Sequence, residues 1–249
     1  MPIWAEKTKQ EIAKQVANPL TSLTYIPLQL DNDYNIGPDD DGERHTLNIQ
    51  PLTSIALNEE WNLLSRTIIP IIDQTDVTPG SGSQTGLGDI LQSFFFSPNP
   101  DKEGEWIWGA GPAVLMPTAT DELLGDDKWA VGPTAVAARV DGPWTVGVLV
   151  NHLFSVAGDN DRPYINNTFI QPFFDYTTEN AVTFELTTEA SYDWRGEEWS
   201  VPINLTANKL FTVGDQMFMF GGGLRYWATG TDYDPEGFGF NISFYWLLP

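Results

Sequence analysis

Two glutamates, Glu185 and Glu189, stand four residues apart in VTFELTTEASYDW (182–194), and the chain has only two histidines, His45 and His152. Paired carboxylates cleave glycosidic bonds when the carboxyl groups are ~5–9.5 Å apart. On an ideal strand these two α-carbons would lie ~13 Å apart, and Thr187 stands between them where sandwich-fold glycosidases usually carry a third acid. His152 in NHLFS could activate Ser155, but a step of three residues along a strand reverses the face. Two histidines cannot form an all-histidine metal site within one chain. The acidic runs DDD (39–41), DELLGDD (121–127), DNDR (159–162) and DYDPE (232–236) lack the spacing and closing glutamate of a calcium loop. They read as a solvated rim, or as diffuse divalent-ion bridges to lipopolysaccharide. The absence of cysteine removes disulfides, thiolate metal sites and thiol nucleophiles. The sequence therefore points to no catalytic residue, resident metal or cofactor, and the protein is expected not to be an enzyme.

The elements that carry these side chains are strands. From Val182 to Trp194 the alternation never slips: Val182, Phe184, Leu186, Thr188, Ala190, Tyr192 and Trp194 share one face. FGFNISFYWLL (238–248), MFMFGGGLRYWA (217–228) and TLNIQPLTSIAL (46–57) repeat the pattern. The spacing predicts one helix, about 3–16, and twelve strands: about 23–36, 45–57, 61–73, 87–97, 105–118, 129–140, 144–157, 166–177, 182–194, 199–212, 217–228 and 237–248. Short turns such as NEE (58–60), DGP (141–143), TENA (178–181) and GDQ (214–216) alternate with longer loops such as QTDVTPGSGSQTG (74–86). An even number of antiparallel strands with short turns at one rim and long loops at the other is the signature of an outer-membrane barrel.

The fold expected is therefore all-β: a twelve-stranded antiparallel transmembrane up-and-down β-barrel over residues 21–249, with a short N-terminal helix in residues 1–20, either periplasmic or folded in as a plug. A soluble sandwich alternates too, with its apolar face in a central core. The aromatics favour the barrel. Trp61, Trp108, Trp129, Trp144, Trp194, Trp199, Tyr226 and Trp246 fall at strand ends, with Trp106 and Tyr176, as interfacial girdles require.

Alternation also assigns the lumen: Gln50, Arg66, Asp89, Gln171, Asp175, Glu185, Glu189, Asn204, Asn208 and Arg225 point inward as candidate solute contacts. The arginines either set a transverse field across a pore or neutralise nearby acids. Gly109, Gly111, Gly132, Gly147, Gly221, Gly223, Gly237 and Gly239 share the inward parity. Glycine weakens a strand, so the cluster signals a solute, a plug or sharp coiling at close range.

Net charge is −22, from 12 basic and 34 acidic residues. That disfavours nucleic acid and anionic surfaces as partners; the barrel reading implies outer-membrane lipid and lipopolysaccharide around the protein and a small solute within it. No apolar run is long enough for a helical span. MPIWAEKTKQ has no apolar core of signal-peptide length, so either a leader has been removed or the protein is not exported.

Several segments resemble the bacterial outer-membrane barrels named for the MetA pathway of phenol degradation, also called simply transporters and sometimes mislabelled neuromedin U. They include NPLTSLTYIPLQ (18–29), LNEEWNLLSRTIIPII (57–72), GLGDILQSFFFSP (86–98), WIWGAGPAVLMPTATDELLGDDKWAVGPTAV (106–136) and WSVPINLTANKLF (199–211). The chain departs from that pattern in ending WLLP rather than in a terminal aromatic. The resemblance implies an outer-membrane channel or transporter that passively admits or binds small, hydrophobic or aromatic solutes. Two other readings stay open: a soluble all-β carbohydrate-binding or carbohydrate-active domain, and a structural envelope barrel with a plugged lumen.

Overall fold

Strict period-two sequences can bury one face only if the sheet closes or stacks, and here it closes. The computed structural model describes residues 7–99 and 106–248. Twelve strands run in order: β1 (Tyr25–Ile36), β2 (Gly42–Ile49, continuing as Leu52–Ala56), β3 (Trp61–Thr75), β4 (Ser83–Leu87, continuing as Ile90–Pro98), β5 (Trp106–Met116) and β6 (Lys128–Asp141). They continue as β7 (Trp144–Gly158), β8 (Asn166–Thr177), β9 (Val182–Thr188, continuing as Ala190–Asp193), β10 (Glu198–Val213), β11 (Gln216–Thr229) and β12 (Gly237–Leu247). Each strand pairs antiparallel with its sequence neighbours, and β12 returns to β1 from Tyr25↔Leu247 to Asn32↔Phe240. The result is an up-and-down barrel with no free edge.

Three strands are interrupted, for different reasons. Pro51 has no N–H to give the ladder, yet register is kept across it, with Ile49↔Ile69 before and Leu52↔Arg66 after. At Glu189 register is also kept, from Phe173↔Thr187 to Ile170↔Ala190. At Gly88–Asp89 it is not: Ile71↔Leu87 becomes Ile68↔Leu91, which is a one-residue bulge.

The oily faces point outward. Phe184, Leu205, Leu224, Phe238, Phe240 and Ile242 are all exposed, whereas Thr183, Thr206, Asn208, Asn241 and Ser243 are buried inside. The aromatics form two belts. Trp61, Trp106, Trp108, Trp144, Tyr176 and Trp246 ring the short-turn rim, with Trp61 against Trp108 and Trp144 against Tyr176. Trp129, Trp194, Trp199 and Tyr226 ring the long-loop rim.

Inward glycines let neighbouring strands approach. A Cβ on Gly223 would stand 1.9 Å from the Leu205 carbonyl oxygen, and one on Gly221 would stand 2.0 Å from that of Ala207. Both contacts are backbone of β10, so at these positions the glycines serve coiling. Gly109 differs, because its nearest neighbour is Leu20 of the N-terminal segment. Gly223→Val should cost at least about 1–3 kcal/mol from the forced backbone shift, measured by urea-dependent refolding into detergent; unchanged stability would contradict the close approach.

The helix α1 runs Lys9–Ala17, and residues 3–6 of the expected helix lie outside the described residues. Thr8 caps it reciprocally: its hydroxyl accepts from the Glu11 N–H at 3.2 Å, and the Glu11 carboxylate accepts from the Thr8 N–H at 2.7 Å. Those bonds from Thr8, the backbone one first, hold the Glu11 carboxyl below its ordinary value. Ile12, Ala13 and Val16 are buried against Leu23, Tyr25, Leu52, Ala181, Leu210, Met219 and Leu247 at the short-turn end of the interior.

Candidate functional site

The interior is built from alternate residues of all twelve strands, and its densest charge lies where β11, β12 and β1 meet. The Arg225 guanidinium pairs with Glu189 at 2.9 Å, Asp33 at 3.1 Å and Asp31 at 3.8 Å. It also donates to Asn204 Oδ1 at 3.2 Å, and lies 5.1 Å from the Trp227 ring, whose indole N–H donates to Asp33 at 2.7 Å. Gly239 is the rung partner of Arg225, and a Cβ there would come within 3.2 Å of the Asp33 carboxylate. The missing side chain leaves the path from Arg225 to Asp33 open. Four charges netting −2 are thus gathered, three of them buried and Glu189 partly so, and their pairing is the condition under which buried charge is tolerated.

Arg66, on β3, forms no ion pair among the described residues; it donates to Gln50 Oε1 at 2.7 Å. Gln50, Arg66, Leu149 and Glu189 border two chambers at once and stand between them. The chamber toward the long loops is about 450 Å³, and the one toward the short turns about 170 Å³. Ala13, Val16 and Ala17 of α1 and Pro19 cover the lower chamber from the short-turn side. A side recess of about 30 Å³ continues it past Glu185, Glu189, Asn204 and Asn241.

Over the upper chamber the long loops are knitted together. Arg162 donates to the Glu122 carbonyl at 2.8 Å and to that of Gly125, and Arg195 donates to the Tyr164 carbonyl at 2.9 Å. Buried Lys128 lies 4.8 Å from the Tyr164 ring. Burial, and then repulsion from Asp89, raises the Asp126 carboxyl above its ordinary value where it borders this chamber.

Of the residues that alternation assigns inward, Gln50, Arg66, Gln171, Asp175, Glu185, Glu189 and Asn208 line the lower chamber, and Asn204 lines the recess. Arg225 is held in the ion cluster beside them. Asp89 lies elsewhere. The β4 bulge turns its carboxylate to the loops, where it accepts the backbone N–H groups of Thr118, Ala119 and Asp126 at 3.0, 3.1 and 2.7 Å. Asp31, Asp33, Tyr25, Tyr245 and Trp227 were not singled out from sequence. The signal for the first two is their shared parity with Gln29 in LQLDNDYNI.

Glu185 and Glu189 line one chamber together, but the rung partner of Glu185 is Asp175. His152 faces outward with Nδ1 2.8 Å from the Thr168 hydroxyl, which also accepts from the Trp194 indole at 2.8 Å. His45 Nδ1 lies 2.8 Å from Asn32 Oδ1. Neither histidine is hydrogen-bonded to a serine among the described residues, and no three acid or histidine side chains there converge to hold a metal ion.

Closed up-and-down topology, an apolar exterior, two aromatic belts and a polar interior define the fold of an outer-membrane β-barrel. No protein-family model and no curated protein sequence matches the chain. Solved structures do. An outer-membrane channel from Pseudomonas putida F1 aligns with TM-score 0.67 at 14% identity, covering 91% of this chain and 94% of that one. The calcium-bound dimer of Salmonella typhi outer-membrane phospholipase aligns at TM-score 0.50 and 10% identity over 96% of each chain. The β-domain of the Bordetella autotransporter BrkA also aligns at 0.50 and 10%, over 91% and 100%. At these identities the likeness is one of fold.

Proposed function

We propose that the protein is an outer-membrane channel that passively admits or retains a small solute, with the N-terminal segment stopping the periplasmic end of the lumen. The observation that carries this reading is the pair of chambers that meet at Gln50, Arg66, Leu149 and Glu189, the lower one covered by α1. The outer-membrane channel from Pseudomonas putida F1, which shares the fold, supports the channel class and the location. The sequence resemblance described above supplies the solute class, hydrophobic or aromatic. The mechanism is diffusion, in which shape and inward charge select and no covalent step occurs. Outer-membrane phospholipases share the fold as well, the Salmonella typhi enzyme among them. The transport reading is preferred because neither histidine is hydrogen-bonded to a serine among the described residues, so no Ser–His pair stands ready for acyl transfer. The bilayer and lipopolysaccharide are its surroundings, the latter met by the acidic long loops.

The test is conductance in planar bilayers of the full chain, of the chain lacking residues 1–20, and of Ile12→Asp. Ile12 is fully buried, and an unpaired carboxylate there unseats the helix. Removing or unseating the helix should raise conductance several-fold. Equal conductance in all three would remove the stopper, and no conductance in any would favour a structural envelope barrel.

A further inference from the structure

Two acids of the lower chamber outnumber the one unpaired cation among the described residues of its wall, Arg66, which donates to the neutral Gln50. Asp175 on β8 and Glu185 on β9 are direct rung partners facing inward, so their Cβ atoms stand ~4.5–5.5 Å apart. On the same rung, Asp175 is flanked by Thr145 and Glu185 by Thr206, so no base is interposed. Neither carboxylate takes part in an ion pair among the described residues. Arg225 is committed to Glu189, Asp31 and Asp33, and Arg66 to Gln50.

An independent sign comes from atoms without partners. Asp175 is 4% exposed and its Oδ1 has no hydrogen-bond partner; Asn241, also 4% exposed, has an unpartnered Oδ1 lining the adjoining recess. Both atoms are acceptors; the Thr145 hydroxyl on the Asp175 rung is also without a partner and brings a donor but no charge. A buried polar atom without a partner costs ~1–3 kcal/mol, so a ligand that brings donors to this space is favoured, and one that also brings positive charge answers the two acids. The rest of the wall fits an organic body. Tyr25, Phe95, Phe173 and Tyr245 line a chamber of about 170 Å³, and a cavity of about 150 Å³ suffices for benzene. The faces of such rings also attract ammonium groups. A bare metal ion matches neither the size nor the apolar wall.

We infer that the lower chamber is a binding site for a small aromatic primary amine in its ammonium form. The ammonium donates to Asp175 and Glu185, and its ring rests among Tyr25, Phe173 and Tyr245. This rests on the reading of the lumen as a solute compartment stopped by α1, and it deepens that reading by naming the solute's chemistry.

The test is calorimetric titration of the full chain, folded in detergent, with benzylamine, benzyl alcohol, benzoate and sodium ion as separate probes. Benzylamine should bind with Kd at or below about 1 mM, a modest affinity for eight heavy atoms. Benzyl alcohol and sodium should bind at least about tenfold more weakly, and benzoate should not bind. Asp175→Asn and Glu185→Gln should each weaken benzylamine at least about tenfold, with heat-dependent gel migration unchanged. Equal binding of benzyl alcohol or of sodium overturns the inference, as does undiminished benzylamine binding in both variants. The competing probes decide the matter on the unaltered protein if either variant misfolds. Selective benzylamine binding without conductance sinks the channel and leaves the site; conductance without binding does the reverse.

Discussion

Arg225→Met should destabilise the barrel by about 3–5 kcal/mol at neutral pH, the cost of stripping the cation from buried carboxylates. The guanidinium holds Asp31, Asp33 and Glu189 within 3.8, 3.1 and 2.9 Å, and the side chains of Asp31 and Asp33 are less than one-tenth exposed. Without it three like charges face one another in a space of low dielectric, and Asn204 loses a donor to its Oδ1. Adding Asp31→Asn and Asp33→Asn to Arg225→Met should recover most of the loss, because the penalty belongs to uncompensated charge rather than to lost attraction. Arg225→Lys should fall between, since an ammonium cannot reproduce the fork that spans three partners. Urea titration of refolding into lipid vesicles measures all four proteins. If the triple variant is no more stable than Arg225→Met, the electrostatic account fails and the guanidinium acts through packing against Trp227.

The same cluster shows what could be read from the sequence and what could not. Alternation is a local property, so the inward faces of Glu185, Asn204, Asn208 and Arg225 could be read strand by strand. Closure is not local. Arg225 reaches Asp31 and Asp33 across β12 only because the first strand returns to the last, and Gly239 clears the way. LQLDNDYNI hid those acids, because three consecutive polar residues erase the period-two contrast that marks a face. Asn32 is set outward only by its rung partners Phe240 and His45. Asp89 shows the opposite failure: an extra residue at Gly88–Asp89 shifts parity by one, and composition carries no trace of that shift. Tyr25 and Tyr245 were obscured by a different rule. An aromatic near a strand end reads as a girdle residue, yet these two face the chamber, and parity alone separates them from Trp246. The helix was legible from its cap and its apolar spacing, but the contact of its Ile12 face with Leu210 and Met219 is a tertiary fact.

Leu205→Arg should cost about 2–4 kcal/mol when the barrel is in a bilayer. Leu205 lies midway along β10, is 56% exposed, and has Leu186 and Leu224 as rung partners, themselves exposed. In a water-soluble protein a leucine this exposed tolerates arginine within about 0.5 kcal/mol. The sign of the prediction therefore depends on what bathes the outer face. Depth gives a second handle. Val213, on the same strand and the same face at the short-turn rim, is 61% exposed, and Val213→Arg should cost only about 0–1 kcal/mol because the headgroups are within reach of the guanidinium. Both variants are to be measured by urea-dependent refolding into vesicles against the unaltered chain. A clear difference between mid-strand and rim places hydrocarbon around the barrel. Equal small costs at both positions would mean that water covers this face, and the chambers and the belts of tryptophan would then need another explanation.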